Sequence, residues 1–260
     1  MMRTWENCND RAIAFFVSEP DKFKSSIRGI SWLEKQDLKS STFKQSGDFI
    51  IEDLKEFDKF KGAKILVVGG GPSSNEVDWD FDDYDYVFSC NHFYKSQKLK
   101  DKKIDLFFVG NEVDTTNEEF LTYCKRHNSL IGIEDLEHRP SHIKNIINNF
   151  KDNSFLCSCR YQSKFTGIAA KIVLLALTFE AKHVDFVGLD GVAPGFNCLN
   201  PMPHSFEGNK LFRKNKQSSY KQVRDHYIHF ENYIKKNFPN VIINNLGKQS
   251  AYNYAYETNI

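Results

Sequence analysis

The chain has 260 residues, 40% hydrophobic and 14% aromatic, which is enough apolar material to bury a core and excludes a globally disordered chain. Lys and Arg number 35 against 34 Asp and Glu, so the formal charge of +1 carries no excess that would favour a nucleic-acid partner or a polybasic membrane anchor. The apolar runs Ile65–Gly71 and Ile172–Leu177 fall far short of the roughly 20 residues of a membrane span, and Glu6, Asn7, Asn9 and Asp10 interrupt any secretion signal, so a cytoplasmic chain without a transmembrane segment is expected.

Residues 1–60 read as an N-terminal extension, Lys- and Ser-rich over Pro20–Lys44 and helical over Phe49–Phe60, where Ile50, Ile51, Leu54, Phe57 and Phe60 recur at three- and four-residue spacing. It packs on the main domain or serves as a partner-binding arm. Residues 61–260 form the second unit. Ile65-Leu66-Val67-Val68 is a continuous apolar run, as in a strand buried on both faces. Further strands are expected at Tyr84–Cys90, Ile104–Val109, Ser129–Ile133, Ser154–Cys159, Val184–Gly188 and Val241–Asn244. Helices are expected at Asn117–Arg126, Ser141–Phe150, Gly167–Ala181 and Ser218–Asn237. Alternating strands and helices imply an α/β, Rossmann-like fold with a mainly parallel sheet flanked by helices. The stretch 191–220 is rich in Pro and Asn, lacks periodicity and reads as a long lid loop. The six cysteines are scattered without a CxxC pair and fit buried thiols in a reducing compartment.

Chemistry gathers at the strand ends. Gly69-Gly70-Gly71-Pro72-Ser73 follows the first buried strand, where glycines let the backbone approach a ligand and free amides meet phosphate. Pro72 suits a first helical turn. The spacing is not that of a dinucleotide fingerprint, because Ser74 stands three after Gly71. Asn91 and Asn111 each follow a strand, with Glu112 next to the second; a carboxamide there reads a base or ribose, or merely tolerates a turn. Thr166 is an N-cap candidate before Gly167, with Lys164 and Arg160 as nearby cations for a phosphate. Asp190, beside Gly191, is either a turn residue or a contact to the acceptor, a ribose or a metal. His204 in the lid is the strongest general-base candidate, with His92 as competitor on the same sheet edge. Lys210 and Arg213 belong to a cationic lid run suited to phosphate. The acidic run Asp78–Asp85 contains DxD patterns, but its interleaved aromatics make it a solvated loop rather than a metal motif, and no metal site is expected.

Together, the GGGPS run, Cys90–Tyr94, Asn111 and the Thr166-Gly167 helix start resemble the bacterial lipooligosaccharide sialyltransferases. The stretch from Leu54 through Ser73 and the ending Asn244–Ala251 resemble a broader group, the archaeal-type 6-hydroxymethylpterin diphosphokinases and motility-associated flagellin glycosyltransferases. The likeness runs over roughly Leu54–Tyr254. It implies transfer of a sugar from a nucleotide-activated donor, most simply a CMP-sugar, to the hydroxyl of a glycan or other acceptor, with no metal or further cofactor. In that reading Gly70, Gly71, Pro72 and Ser73 cradle phosphates. Asn91 and Asn111 hold the nucleoside or the transferred group, Thr166 binds phosphate, and His204 deprotonates the acceptor. The alternative is a diphosphokinase-like phosphotransferase using ATP and magnesium, with Asp190 or Glu112 on the metal. A third is an inactive nucleotide- or glycan-binding protein, since the sialyltransferases' lid tyrosines have no counterpart before Tyr220. The sugar, the acceptor and the oligomeric state are left open.

Overall fold

The computed structural model describes residues 27–29, 55–110, 113–134, 145–146, 148–157, 167–191, 203–206, 208–209, 227–228 and 230–250. Three residues of the extension form β1 (Ile27–Gly29). The expected apolar runs form β2 (Lys64–Val68), β3 (Tyr86–Cys90), β4 (Leu106–Val109), β5 (Leu130–Glu134), β6 (Ser154–Cys157) and β7 (His183–Val187). A small hairpin follows, β8 (Pro203–His204) with β9 (Gly208–Asn209), and then β10 (Ile242–Asn245). The main sheet has the order β1-β6-β5-β4-β3-β2-β7-β10. All its pairs are parallel except β1 with β6, where Ile27 faces Cys157.

This order reverses at β2. The chain steps outward from β2 to β6, then returns to lay β7 against the other side of β2. Ligands of open α/β sheets sit in the crevice beyond the carboxyl ends of the strands at such a reversal. The register brings the ends together, because Val68 lies opposite both Ser89 and Val187. β2 is central and buried on both faces, with Ile65, Leu66 and Val67 at 0% exposure, as its unbroken apolar run requires. β10 ends the described sheet, and its Ile242 is 58% exposed.

Around the sheet lie α1 (Ser73–Glu76), α2 (Glu118–His127) and α3 (Gly167–Thr178). Asn117 caps α2 by accepting from Glu119 N and Phe120 N, and Lys125, Arg126 and His127 stand in its last turn. Its Cys124 is buried, which pushes the thiol up to about 12, so this cysteine is an inert core residue. α3 packs across β2, β3, β4 and β7. Helical residues 227–228 and 230–237 precede β10, with Phe230 against Phe186. The expected helix ending at Phe60 is, over Lys55–Phe60, a 3₁₀ turn. Phe57 and Phe60 are three apart, so such a turn puts both on one side. Phe57 stacks on Phe179 at 4.3 Å, and Phe60 meets Phe88 edge-on at 4.8 Å. The rest of the extension and most of 191–220 lie outside the described residues.

The acidic run is less solvated than its charge suggests. Trp79, Phe81 and Tyr84 pack against the core while the aspartates stay outside. Lysines lie over the rings: Lys98 over Trp79 at 4.9 Å, Lys102 over Phe81 at 5.3 Å and Lys64 over Tyr84 at 4.6 Å. Tyr84 donates to the buried Asp185 carboxylate at 2.8 Å, which also accepts from Asn244 at 2.8 Å and meets His183 Nε2 at 2.7 Å. Burial first, and then this bond to a carboxylate, hold the Tyr84 phenol well above its ordinary pKa. The cluster ties β7, β10 and the approach to β3 together. Tyr84→Phe is expected to cost about 1.5 kcal/mol, because a charged acceptor loses a donor. The midpoint of urea unfolding measures it, and an unchanged midpoint would show that the bond adds nothing net.

Candidate functional site

The glycine turn leaves β2 at the sheet reversal, and its amides mostly face inward. Gly69 N–H donates to Val187 O at 2.8 Å and Gly71 N–H to Gly188 O at 2.9 Å. Ser74 N–H bonds to Gly71 O at 3.2 Å. Pro72 caps α1 with φ −60° and has no N–H to place. Ser73 N–H donates to Asp190 Oδ2 at 2.8 Å, and Gly188 N–H returns a bond to Ser73 Oγ at 2.9 Å. The ends of β2 and β7 are therefore laced together. The amide of Ser73, expected to meet phosphate, is held by a buried carboxylate. Among the described residues, Gly70 N–H is the one amide of Gly69–Ser73 with no acceptor in the fold.

Close packing explains the glycines here. Gly188 has φ +77°, and a Cβ on it would overlap the Gly69 carbonyl oxygen. A Cβ on Gly71 would lie 2.5 Å from Asp190 Oδ2. At Gly70 the obstacle is His204, whose Cε1 and Nε2 occupy the space a Cβ would need. The imidazole thus rests directly on the glycine turn.

The hairpin β8–β9 makes this contact. Ser205, at its tip, donates its N–H to Gly70 O at 2.9 Å and its hydroxyl to Gly71 O at 2.9 Å. Phe206 is buried and anchors the tip, with its ring edge-on to His204 at 5.7 Å. Phe206 N–H donates to His204 Nδ1 at 3.3 Å. A neutral imidazole accepting at Nδ1 carries its proton on Nε2, the nitrogen beside Gly70.

The far wall comes from the C-terminal segment. The 3₁₀ turn Leu246–Gln249 brings Gly247 against the glycine turn, where a Cβ would sit 2.7 Å from Ser73 Oγ and 3.2 Å from Asp190 Oδ1. Lys248 Nζ bonds to Glu231 Oε2 at 3.2 Å, and Asn245 Nδ2 bonds to the other oxygen of that carboxylate at 3.4 Å. Ser250 Oγ donates to Glu76 of α1. Tyr227 is buried nearby, and its phenol is pushed well above the ordinary value by burial first and then by the Asp190 carboxylate.

The structure thus brings Gly69, Gly70, Gly71, Pro72, Ser73, Asp190 and His204 into one cluster. Asn91 stands at the neighbouring strand end with φ +53°. Its carboxamide oxygen accepts from Gly110 N–H at 2.7 Å, tying β3 to β4. His92 is 8% exposed, with its ring 6.2 Å from that of Tyr94. Gly167 begins α3. Asn111, Glu112, Arg160, Lys164, Thr166, Lys210 and Arg213 lie outside the described residues.

Some residues of the cluster carry no separate signal in the sequence. Ser205 and Tyr227 join it through backbone placement that spacing does not encode. Lys171 is different. It is fully buried on α3, with its ammonium 5.7 Å over the Phe108 ring. A single lysine inside the run Ile168–Leu177 is a readable signal, since a helix buried on all sides has no solvated face to hold it.

Compared with models of protein families and with curated proteins, the chain matches none of them.

Proposed function

We propose that the crevice between β2 and β7 binds a nucleotide-activated sugar and transfers the sugar to a hydroxyl acceptor. The observation that carries this reading is His204 seated on Gly70 beside buried Asp190, at the point where the sheet order reverses. A donor phosphate approaching there meets Gly70 N–H and the His204 ring. An imidazole has two possible tasks in this reaction: taking the acceptor's proton, or donating to the leaving phosphate. The Phe206 N–H at Nδ1 favours the second, because Nε2 then holds the hydrogen. The acceptor oxygen forms the new bond to the anomeric carbon. The bond from that carbon to the phosphate oxygen breaks, its electron pair stays on the phosphate, and the acceptor's proton ends on the released nucleotide. A donor from His204 offsets the charge that builds on the departing oxygen. Hairpin closure would exclude water that otherwise hydrolyses the donor.

Thermal unfolding in the presence of CMP, CDP, UDP or ATP, each with and without magnesium, tests the reading. A rise in Tm with CMP or CDP that does not need magnesium is expected. At a hundredfold excess over Kd, binding adds about 2.7 kcal/mol. A rise that requires ATP and magnesium would replace transfer by phosphotransfer. No rise with any nucleotide would remove the nucleotide site.

A further inference from the structure

We propose that Ser205 is the positioning residue of this site: it clamps the hairpin tip to the glycine turn and thereby sets the ring state of His204. The proposal rests on the reading of the crevice as a ligand site with His204 as its donor.

Ser205 makes two bonds to consecutive carbonyls, its N–H to Gly70 O and its hydroxyl to Gly71 O, both at 2.9 Å. Gly70 O faces the hairpin because it lies opposite Gly71 N–H in one peptide plane, and that N–H faces β7; Gly71 O is shared, accepting from Ser74 N–H and Ser74 Oγ as well as from Ser205. The turn and the hairpin are therefore complementary, acceptors on one side and donors on the other. His204 precedes Ser205, so both bonds hold its backbone over Gly70, and the Phe206 N–H at Nδ1 holds the ring. Phe206 follows it, is buried, and supplies the N–H at His204 Nδ1. Three successive residues thus divide one task. Ser205 fixes position, Phe206 fixes the tautomer, and His204 presents Nε2 toward the turn. Gly70 completes the device, since any side chain there would expel the ring.

Nitrogen-15 NMR of the histidine rings tests this without any substrate. The chain has 8 His, and His204→Gln identifies the His204 signals by their loss. In the unaltered protein His204 is expected as the Nε2–H tautomer at neutral pH. In Ser205→Ala, which removes the hydroxyl bond, both tautomers are expected, with exchange of the Phe206 amide about fivefold faster, the worth of one ordinary hydrogen bond. Affinity for CMP should change little, since the ring acts mainly as the bond breaks. Ser205→Thr keeps the hydroxyl and should restore the tautomer and the Phe206 exchange. If Ser205→Ala leaves the tautomer and the Phe206 exchange unchanged, Ser205 does not position the ring. If the unaltered protein binds no nucleotide, the transfer reading fails, while the ring-state comparison still decides the role of Ser205.

Discussion

Gly188→Ala is expected to lower the unfolding free energy by about 4 kcal/mol, the largest loss from any single methyl group at the site. Two costs combine. The residue holds φ +77°, where a side chain costs about 1–2 kcal/mol. Its Cβ would also overlap the Gly69 carbonyl oxygen, and such overpacking costs about 1–3 kcal/mol. Backbone faces backbone there, so no rotamer change relieves the contact. Gly62→Ala separates the two costs. Gly62 has φ +71°, and a Cβ on it would meet nothing within 4 Å, so it should lose only the conformational part, about 1 kcal/mol. For a chain of this size the Gly188 variant should melt about 10 °C lower. Equal losses at both positions in urea unfolding would show that the seam between β2 and β7 yields easily. A yielding seam could not hold Ser73 against Asp190 as described.

His204→Ala is expected to reduce sugar transfer by roughly a hundredfold to ten-thousandfold while nucleotide affinity changes little. The small change in affinity follows from a charge that builds on the phosphate oxygen mainly as the bond breaks. His204→Gln is the informative companion. A Gln amide reaches the Nε2 position and donates there, but it has no basic nitrogen. Partial recovery, to within about tenfold of the unaltered rate, is expected if the ring acts as a donor. A Gln variant as slow as Ala would return His204 to the role of base. Loss of nucleotide binding in both variants would make the residue part of the donor pocket instead. The rates come from steady-state assays with separate kcat and KM, and the affinity from calorimetry with the nucleotide alone.

Much of the sheet is legible in the chain. Each expected run from Ile65 to Ile243 forms a strand within a few residues; for the central strands this is because burial on both faces leaves an unbroken apolar signature, while β10 is legible though its residues are half-buried or exposed. The α2 boundaries are legible from Asn117 and the basic last turn. β1 is not, since three residues at a sheet edge carry no period, and neither is the hairpin β8–β9. At the site, the glycine turn, Asp190 and His204 can each be named from sequence. Their relations cannot. Glycines after a strand suggest amides turned toward a ligand, whereas here Gly71 and Ser73 turn theirs toward β7 and Asp190. The glycines instead make room for Asp190, His204 and the Gly188 backbone. Lys171 shows the opposite failure. Its signal is plain, but the helix expected over Gly167–Ala181 does not by itself say that the lysine lies inside the core.

The lacing of β2 to β7 also has a consequence for how the chain comes into being. Ser73 meets Gly188 and Asp190 across separations of 115 and 117 residues, and Ser205 meets Gly71 across 134. During synthesis β2 finds β3 early, but its other edge waits for β7. At ribosomal speeds of roughly 5–20 residues per second, 115 residues take about 6–23 s. For that interval an apolar strand that is buried in the folded sheet presents an open hydrogen-bonding edge. Contacts of such long range also form slowly in refolding. Until β7 arrives, the glycine turn is the end of a strand whose Gly69, Gly71 and Ser73 amides have none of the partners that hold them in the fold.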